Sequence, residues 1–296
     1  MKINLELLKT MPLPDWSDDA SKKTRGKLLL IGGSARIPGA AILAAKAALR
    51  SGCGSVRVAA PQSVATHIGI AVPELMVIPL PETSAGTVAR GAVELIAAQC
   101  KVCDAAVIGP GLDENAETEE FAREVVQMAP LPLVIDASAI CALDAKFAAQ
   151  KFARVLTPHE AEFEALGGKI GADKAATTLE WAKRAKAILA LKGAPTTISD
   201  GQTCYETENQ TRVLGTAGSG DVLAGIVGSL LAQGVSPLHS AIWGVQFHQN
   251  IGEDFQKDGS EDGILARDFI DRLPQTQKYF RRIANEKKVG GFGLRK

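Results

Sequence analysis

The stretch KLLLIGGSARIPGAAILAAKAALRSGCGSVRVAAP, Lys27 to Pro61, decides the fold. It opens on a short apolar run that ends in two glycines, the pattern of a strand buried on both faces. In GAAILAAKAALRSG the Ala and Leu residues recur at helical spacing up to a glycine stop. SVRVAAP then reads as a strand again. Strand, helix and strand in this order form a βαβ unit, whose crossover places the two strands parallel in one sheet.

The alternation continues outward from that unit. A short helix leads to MVIPL, a helix through AVELIAAQ leads to DAAVIGPG, and a helix from Glu117 to Met128 leads to LVIDA. ARVLTP precedes the helical HEAEFEAL, and Asp173 is placed to cap a helix reaching Lys186, with the strand ILALKG after it. TTISDGQTCYET breaks the rhythm: two β-rich runs flank Asp-Gly-Gln, which reads as a hairpin. Three helices follow, in GSGDVLAGIVGSLLAQG, SPLHSAIWGVQFHQNIGEDF and ILARDFIDRL. The expected class is α/β, three layers with a mainly parallel central sheet. With no linker-like segment or internal repeat, residues 25–280 read as one domain, preceded by an extension (1–24) and followed by a tail (281–296). The tail ends in KKVGGFGLRK, a frayed end rather than a binding arm.

Composition narrows the partners. Of 296 residues 46% are hydrophobic and only 5% aromatic, so small aliphatic side chains must fill the core. Lys plus Arg (33) equals Asp plus Glu (33), which leaves no global field to attract nucleic acid or an anionic membrane. No run approaches the roughly 18 apolar residues of a membrane span, and the N-terminus lacks a signal-peptide core. Five scattered cysteines, Cys53, Cys100, Cys103, Cys141 and Cys204, suit reduced thiols in a cytoplasmic protein. Cys100 and Cys103 form a C-x-x-C without a second pair, so core cysteines are favoured over a redox or zinc site.

In a sheet of this kind ligands lie beyond the carboxyl ends of the strands. Gly32-Gly33-Ser34, Gly109-Pro110-Gly111, Thr157-Pro158-His159 and Lys192-Gly193-Ala194 all follow strands and should share one rim. The strongest local motif is GTAGSGDVLAG, Gly215 to Gly225. Its glycines let successive amides of Gly218, Ser219 and Gly220 turn inward at the positive end of a helix, forming an anion hole. Asp221, in the first turn, is either a base or acid beside that hole or a complement to the helix dipole, and the first is favoured. Lys192 can meet a phosphate as a point charge and Gly193 admits close backbone approach, with Thr196 or Thr197 adding a hydroxyl. His159, at a helix N-terminus after Pro158, is held neutral and able to donate and accept. Asp136 can serve its turn or hold Mg²⁺ through water. His67, His239 and His248 are given no role.

These motifs in this order (GGSARIPGAA, IGPGL, VIDA, LTPHEAEF, LKGAPT and GSGDVLAG) resemble the ribokinase-like superfamily, and within it the ADP-dependent NAD(P)H-hydrate dehydratases, over about residues 25 to 275. The TPH turn is the most telling, because kinases of the superfamily more often carry TPN there. Two departures are Ser219, where the family often has Thr, and Ile37, where it often has an aromatic residue. The resemblance implies dehydration of the S-form of hydrated NAD(P)H, NAD(P)HX, with ADP consumed to AMP and phosphate and Mg²⁺ bridging phosphates. It implies that Lys192, Gly193, Ala194, Pro195, Thr196 and Gly220 hold the adenine nucleotide. Ala40, Gly111, His159 and Asp221 would face the hydrated dinucleotide, and no residue declares itself a dedicated metal ligand. A homotetramer and a separate epimerase acting on the same metabolite are also implied. The alternative is an ATP-dependent kinase of a vitamin precursor or sugar on the same fold; a regulatory protein without turnover is disfavoured by the intact GSGD.

Overall fold

Leu28 and Leu30 pack into one side of the sheet and Leu29 and Ile31 into the other, all four fully buried. This two-sided burial is why Leu28 to Ile31 include no polar residue. The computed structural model describes residues 1–14, 21–143, 150–209 and 211–289. The chain begins with β1 (Lys2–Ile3), α1 (Leu5–Leu8), β2 (Lys27–Ile31), α2 (Pro38–Arg50), β3 (Ser55–Pro61), α3 (Gln62–Ala71) and β4 (Met76–Leu80). It continues through α4 (Val93–Cys100), β5 (Ala105–Ile108), α5 (Ala116–Met128), β6 (Leu133–Ile135), α6 (Ser138–Cys141), β7 (Arg154–Leu156) and α7 (Glu160–Ala165). It ends with α8 (Lys174–Ala185), β8 (Ile188–Leu191), β9 (Thr197–Ser199), β10 (Cys204–Thr207), α9 (Ser219–Ala232), α10 (Pro237–Lys257) and α11 (Ala266–Val289).

The strands form one sheet in the order β1-β10-β9-β8-β7-β6-β5-β2-β3-β4. Only β9 runs antiparallel to its neighbours, and β9–β10 is the hairpin expected around Asp200-Gly201-Gln202. One face is covered by α2, α3, α9, α10 and α11, the other by α4 to α8. This is the expected three-layer arrangement. Among the described residues no helix is long and apolar enough to cross a membrane.

Two boundaries differ from the sequence reading. The N-terminal segment is part of the sheet: Lys2 and Ile3 pair with Glu206 and Thr207, and Met11 O accepts from the buried Trp243 Nε1 at 3.1 Å. Leu8 and Met11 are buried against the same core. At the other end α11 runs through the expected boundary at 281 to Val289. Phe280 is 2% exposed and packs against Trp243 at 5.6 Å and Phe247 at 5.7 Å. Most of the Gly-rich end lies outside the described residues.

The helix bearing Asp221 is set by a close crossing. A Cβ built on Gly225 of α9 would lie 2.2 Å from the Ala44 carbonyl of α2, so only glycine lets the two backbones meet. Gly225→Ala is expected to destabilise the fold by about 1–3 kcal/mol, read as a fall of several degrees in Tm. An unchanged Tm would show that α2 and α9 can separate without cost.

Cations stand near the C-x-x-C pair, Arg154 by Cys100 and Arg57 by Cys103, but burial outweighs their pull. Cys100 is buried and burial pushes its thiol to about 11, with the Cys103 thiol also raised by burial. A thiol held protonated is a poor nucleophile and a poor metal ligand, which suits packing.

Candidate active site

A cavity of about 680 Å³ opens at the rim where β6, β7 and β8 end, a volume suited to one nucleotide-sized ligand. One wall is Asp136, Ala137, His159, Glu162, Lys192, Gly193, Ala194 and Thr196. The opposite wall is the loop from Thr211 into the start of α9, ending at Asp221. Val245, His248 and Gln249 of α10 close the base.

The start of α9 is capped by backbone geometry alone. Gly218, the N-cap, has φ 86°, and a Cβ there would stand 2.6 Å from Leu43 Cδ1. Ser219 N–H is bonded to Thr216 O and Val222 N–H to Gly218 O. The amides of Gly218, Gly220 and Asp221 have no protein partner among the described residues. Of the three amides expected to form an anion hole, that of Ser219 is thus occupied, whereas those of Gly218 and Gly220 are open, as is that of Asp221. The Ser219 hydroxyl is occupied too, donating to Leu214 O at 2.6 Å and so closing the loop on itself.

Charge is concentrated beside this helix end. Lys192 Nζ lies 3.2 Å from Asp136 Oδ1 and 3.6 Å from Glu162 Oε2. It also stands 3.3 Å from where a Gly220 Cβ would be. Asp136, 1% exposed, accepts a second bond from Thr157 Oγ1 at 2.6 Å. Burial opposes the charge on Lys192, but Asp136, Glu162 and Asp221 outweigh it and hold its pKa above the usual value. Asp221 shows the opposite balance. Burial, then the Asp136 charge, raise its carboxyl to about 7 against the pull of Lys192. A carboxylate near neutrality beside open amides can take a proton from a hydroxyl while those amides stabilise developing charge.

His159 is both a cap and a cavity residue. Its Nδ1 accepts from Glu162 N–H at 3.1 Å, and its own N–H donates to Glu162 Oε2 at 2.7 Å. This reciprocal capping box leaves Nε2 as the ring's donor, 3.5 Å from Glu162 Oε1. Backbone strain marks the neighbouring wall: Ala137, at φ 48° and ψ −133°, adopts a conformation costly for any residue with a Cβ.

The remaining expected residues separate. Thr196 lines the cavity, its Oγ1 donating to Gly193 O at 3.0 Å, whereas Thr197 bonds Thr178 on the far side of the strand. Pro195 does not line the cavity. Ala40 and Gly111 meet each other on the adjoining stretch of rim, where a Gly111 Cβ would lie 3.0 Å from Ala40 Cβ. Leu43, one turn beyond Ala40 on α2, is what touches Gly218 and joins the two patches. Gly109 serves the backbone: a Cβ there would lie 1.7 Å from Asp136 O.

Sequence reasoning missed Glu162, which the H-x-x-E spacing in LTPHEAEF would have flagged as a capping box. It also missed Thr211, Arg212 and Leu214, and the α10 residues, whose place depends on how α10 packs. His239, half-buried near the start of α10, stays outside the cavity.

Residues 28–275 match the model of the family described as NAD(P)H-hydrate dehydratase. The chain belongs to the NAD(P)H-hydrate dehydratase family. Within that family, the ADP-dependent (S)-NAD(P)H-hydrate dehydratase of Xanthomonas campestris is 38% identical over 90% of this chain and 95% of its own. The bifunctional NAD(P)H-hydrate repair enzyme of Moorella thermoacetica is 35% identical over 88% of this chain, which spans 51% of that longer protein. Among solved structures, the ADP/ATP-dependent NAD(P)H-hydrate dehydratase of Bacillus subtilis, co-crystallised with ATP and Mg²⁺, superposes with a TM-score of 0.79. It is 26% identical, and the match covers 94% of this chain and 97% of that one. The dehydratase family and its ribokinase-like fold are thus those expected from the motifs.

Proposed function

We propose that this protein dehydrates the S-form of NAD(P)HX to NAD(P)H, consuming ADP to AMP and phosphate. The observation that carries the reading is Asp221: a half-buried carboxyl with a pKa of about 7, at open helix amides and beside Lys192, in a nucleotide-sized cavity. A ring hydroxyl is a poor leaving group until it is phosphorylated. Asp221 takes the hydroxyl proton as the oxygen attacks the terminal phosphorus of ADP and the bond to AMP breaks. The amides of Gly218, Gly220 and Asp221, with the Lys192 charge, stabilise the phosphoryl group in transfer. The ring nitrogen lone pair expels phosphate, and loss of a proton from the adjacent ring carbon then restores the dihydronicotinamide.

Lys192, Gly193, Ala194, Pro195, Thr196 and Gly220 are assigned to the nucleotide, supported by the cavity that all but Pro195 line. Ala40, Gly111, His159 and Asp221 are assigned to the hydrated dinucleotide. The adjoining patch at Ala40 and Gly111 suits a substrate too long for the cavity alone. Among the described residues no group of three or more His, Cys, Asp or Glu is disposed to hold a metal. Mg²⁺ would be held by the nucleotide's phosphates, with Asp136 of the cavity wall able to hold it through water, and would neutralise phosphate charge. Cytoplasmic location, a homotetramer and a separate epimerase supplying the S-form complete the reading.

The test is to incubate purified protein with hydrated NADH, Mg²⁺ and either ADP or ATP, following the absorbance of the restored nicotinamide. Recovery with ADP is expected. No recovery with either nucleotide from folded protein would overturn the reading in favour of the small-molecule kinase.

A further inference from the structure

Three acids and two cations line the cavity: Asp136, Glu162 and Asp221 against Lys192 and Arg212. Lys192 is already committed, with Asp136 at 3.2 Å and Glu162 at 3.6 Å. A polyphosphate that enters beside those acids therefore meets no uncommitted side-chain cation on that wall. Arg212 stands on the opposite wall, in the loop that leads into α9. Its Nε lies 2.5 Å from Glu261 Oε2, and 69% of its side chain is exposed. A guanidinium carries five N–H donors, so a single carboxylate leaves several of them for a ligand. The backbone beneath it is held in place. Arg212 opens a 3₁₀ turn, Arg212–Gly215, where Thr211 Oγ1 accepts from Val213 N–H at 3.3 Å. The turn presses on α10, since a Cβ on Gly252 would stand 2.7 Å from Thr211 Cγ2 and 3.0 Å from Leu214 Cδ2. A fixed anchor under an exposed charged head can meet a ligand with little backbone reorganisation.

We propose that Arg212 is a nucleotide-binding residue that donates to a phosphate of the adenine nucleotide from the wall facing Lys192. The assignment rests on the nucleotide reading above and extends it to a residue outside the recognised motifs. Phosphate is the group that matches, because the planar fork of a guanidinium meets two phosphate oxygens at once and the cavity otherwise lacks a cation to spare. The nucleotide is favoured over the hydrated dinucleotide because Arg212 shares the cavity with Lys192, Gly193, Ala194, Thr196 and Gly220, whereas Ala40 and Gly111 lie on the adjoining rim. Glu261, which does not line the cavity, is the partner of Arg212 in the free protein.

The experiment compares wild type, Arg212→Gln, Arg212→Lys and Glu261→Gln as full-length proteins. ADP binding is measured by calorimetry with Mg²⁺, and adenosine is measured as an inhibitor competing with ADP. R212Q is expected to bind ADP about tenfold more weakly while adenosine inhibition stays within about twofold of wild type. R212K, which keeps the charge without the fork, should recover part of the loss. E261Q removes the ion pair and leaves Arg212, so it should bind ADP at least as tightly as wild type. ADP affinity of R212Q within about twofold of wild type would overturn the assignment, even if KM for hydrated NADH rose, since the contact would then be to the dinucleotide. Equal losses for ADP and adenosine would also overturn it, because they mark a contact to the base or ribose. A loss in E261Q as large as that in R212Q would show that only the ion pair matters to the loop. Failure of the wild-type protein to bind ADP would instead overturn the nucleotide reading, and this assignment with it.

Discussion

Asp221→Asn is expected to cut dehydration by a factor of about 10² to 10⁴ while making the folded protein more stable at pH 8. Both effects come from the same burial. The folded-state pKa of about 7 lies above the ordinary value of 3.8 because burial and the Asp136 charge disfavour the carboxylate. Between those two values the unfolded chain has released this proton and the native state has not, so stability falls as pH rises through the window. Above pH 7 the loss is complete, at most roughly 4 kcal/mol for a shift of this size. Asn is nearly isosteric and carries no charge, so it removes that loss above pH 7 and changes little near pH 4. In the wild type, kcat/KM should rise through about pH 7 and then level off, since the base must be ionised. Thermal melts of both proteins at pH 4.5 and pH 8, beside nicotinamide recovery, decide the matter. An Asn variant that is active, or less stable at pH 8, would remove Asp221 from the role of base.

Lys192→Met should have the second-largest effect, on fold and rate together. At neutral pH its charge is the common partner of Asp136 and Glu162, and it is the charge that lowers the Asp221 pKa. Its own pKa is raised, so its stabilising contribution is present in full below the usual lysine range and is lost only as pH climbs past its folded value. Removing it leaves buried carboxylates unneutralised, at an expected cost of about 3–5 kcal/mol. The ionisation of Asp221 should then move to higher pH and carry the rising limb of kcat/KM with it. Asp136→Asn should move that limb the other way, because Asp136 is the largest charge raising Asp221. Opposite shifts in the two pH profiles are the expected result. Shifts in the same direction would mean that both substitutions act through a general loosening of the site.

What was readable in the chain is what depends on near neighbours. The four apolar residues of KLLLI, the Ala/Leu spacing of α2, the Asp173 cap, whose Oδ1 accepts from Ala176 N–H at 3.0 Å, and the hairpin around Gly201 are all local facts. So is the start of α9, because Gly218 must reach φ 86° before the helix can begin and no other residue reaches it so cheaply. Shared topology then carries separate turns to one rim, which is why Lys192, His159 and Asp221 could be grouped before any coordinate was known.

The tertiary structure decided the rest. That the Ser219 amide is occupied and the Asp221 amide open depends on how the Thr211–Gly218 loop folds back. That β1 joins the sheet depends on an open edge at β10, some two hundred residues away in the chain. Val245, His248 and Gln249 share a helical face, but nothing in their spacing tells which ligand or wall that face meets. Nor does any motif disclose that Asp221 titrates near 7. Strand, helix and turn preferences are set by residues a few positions apart, so the sequence by itself determined the layers and the rim on which Asp221 stands. Burial and electrostatic field are sums over side chains from every element packed around a point, and only the folded chain determines those.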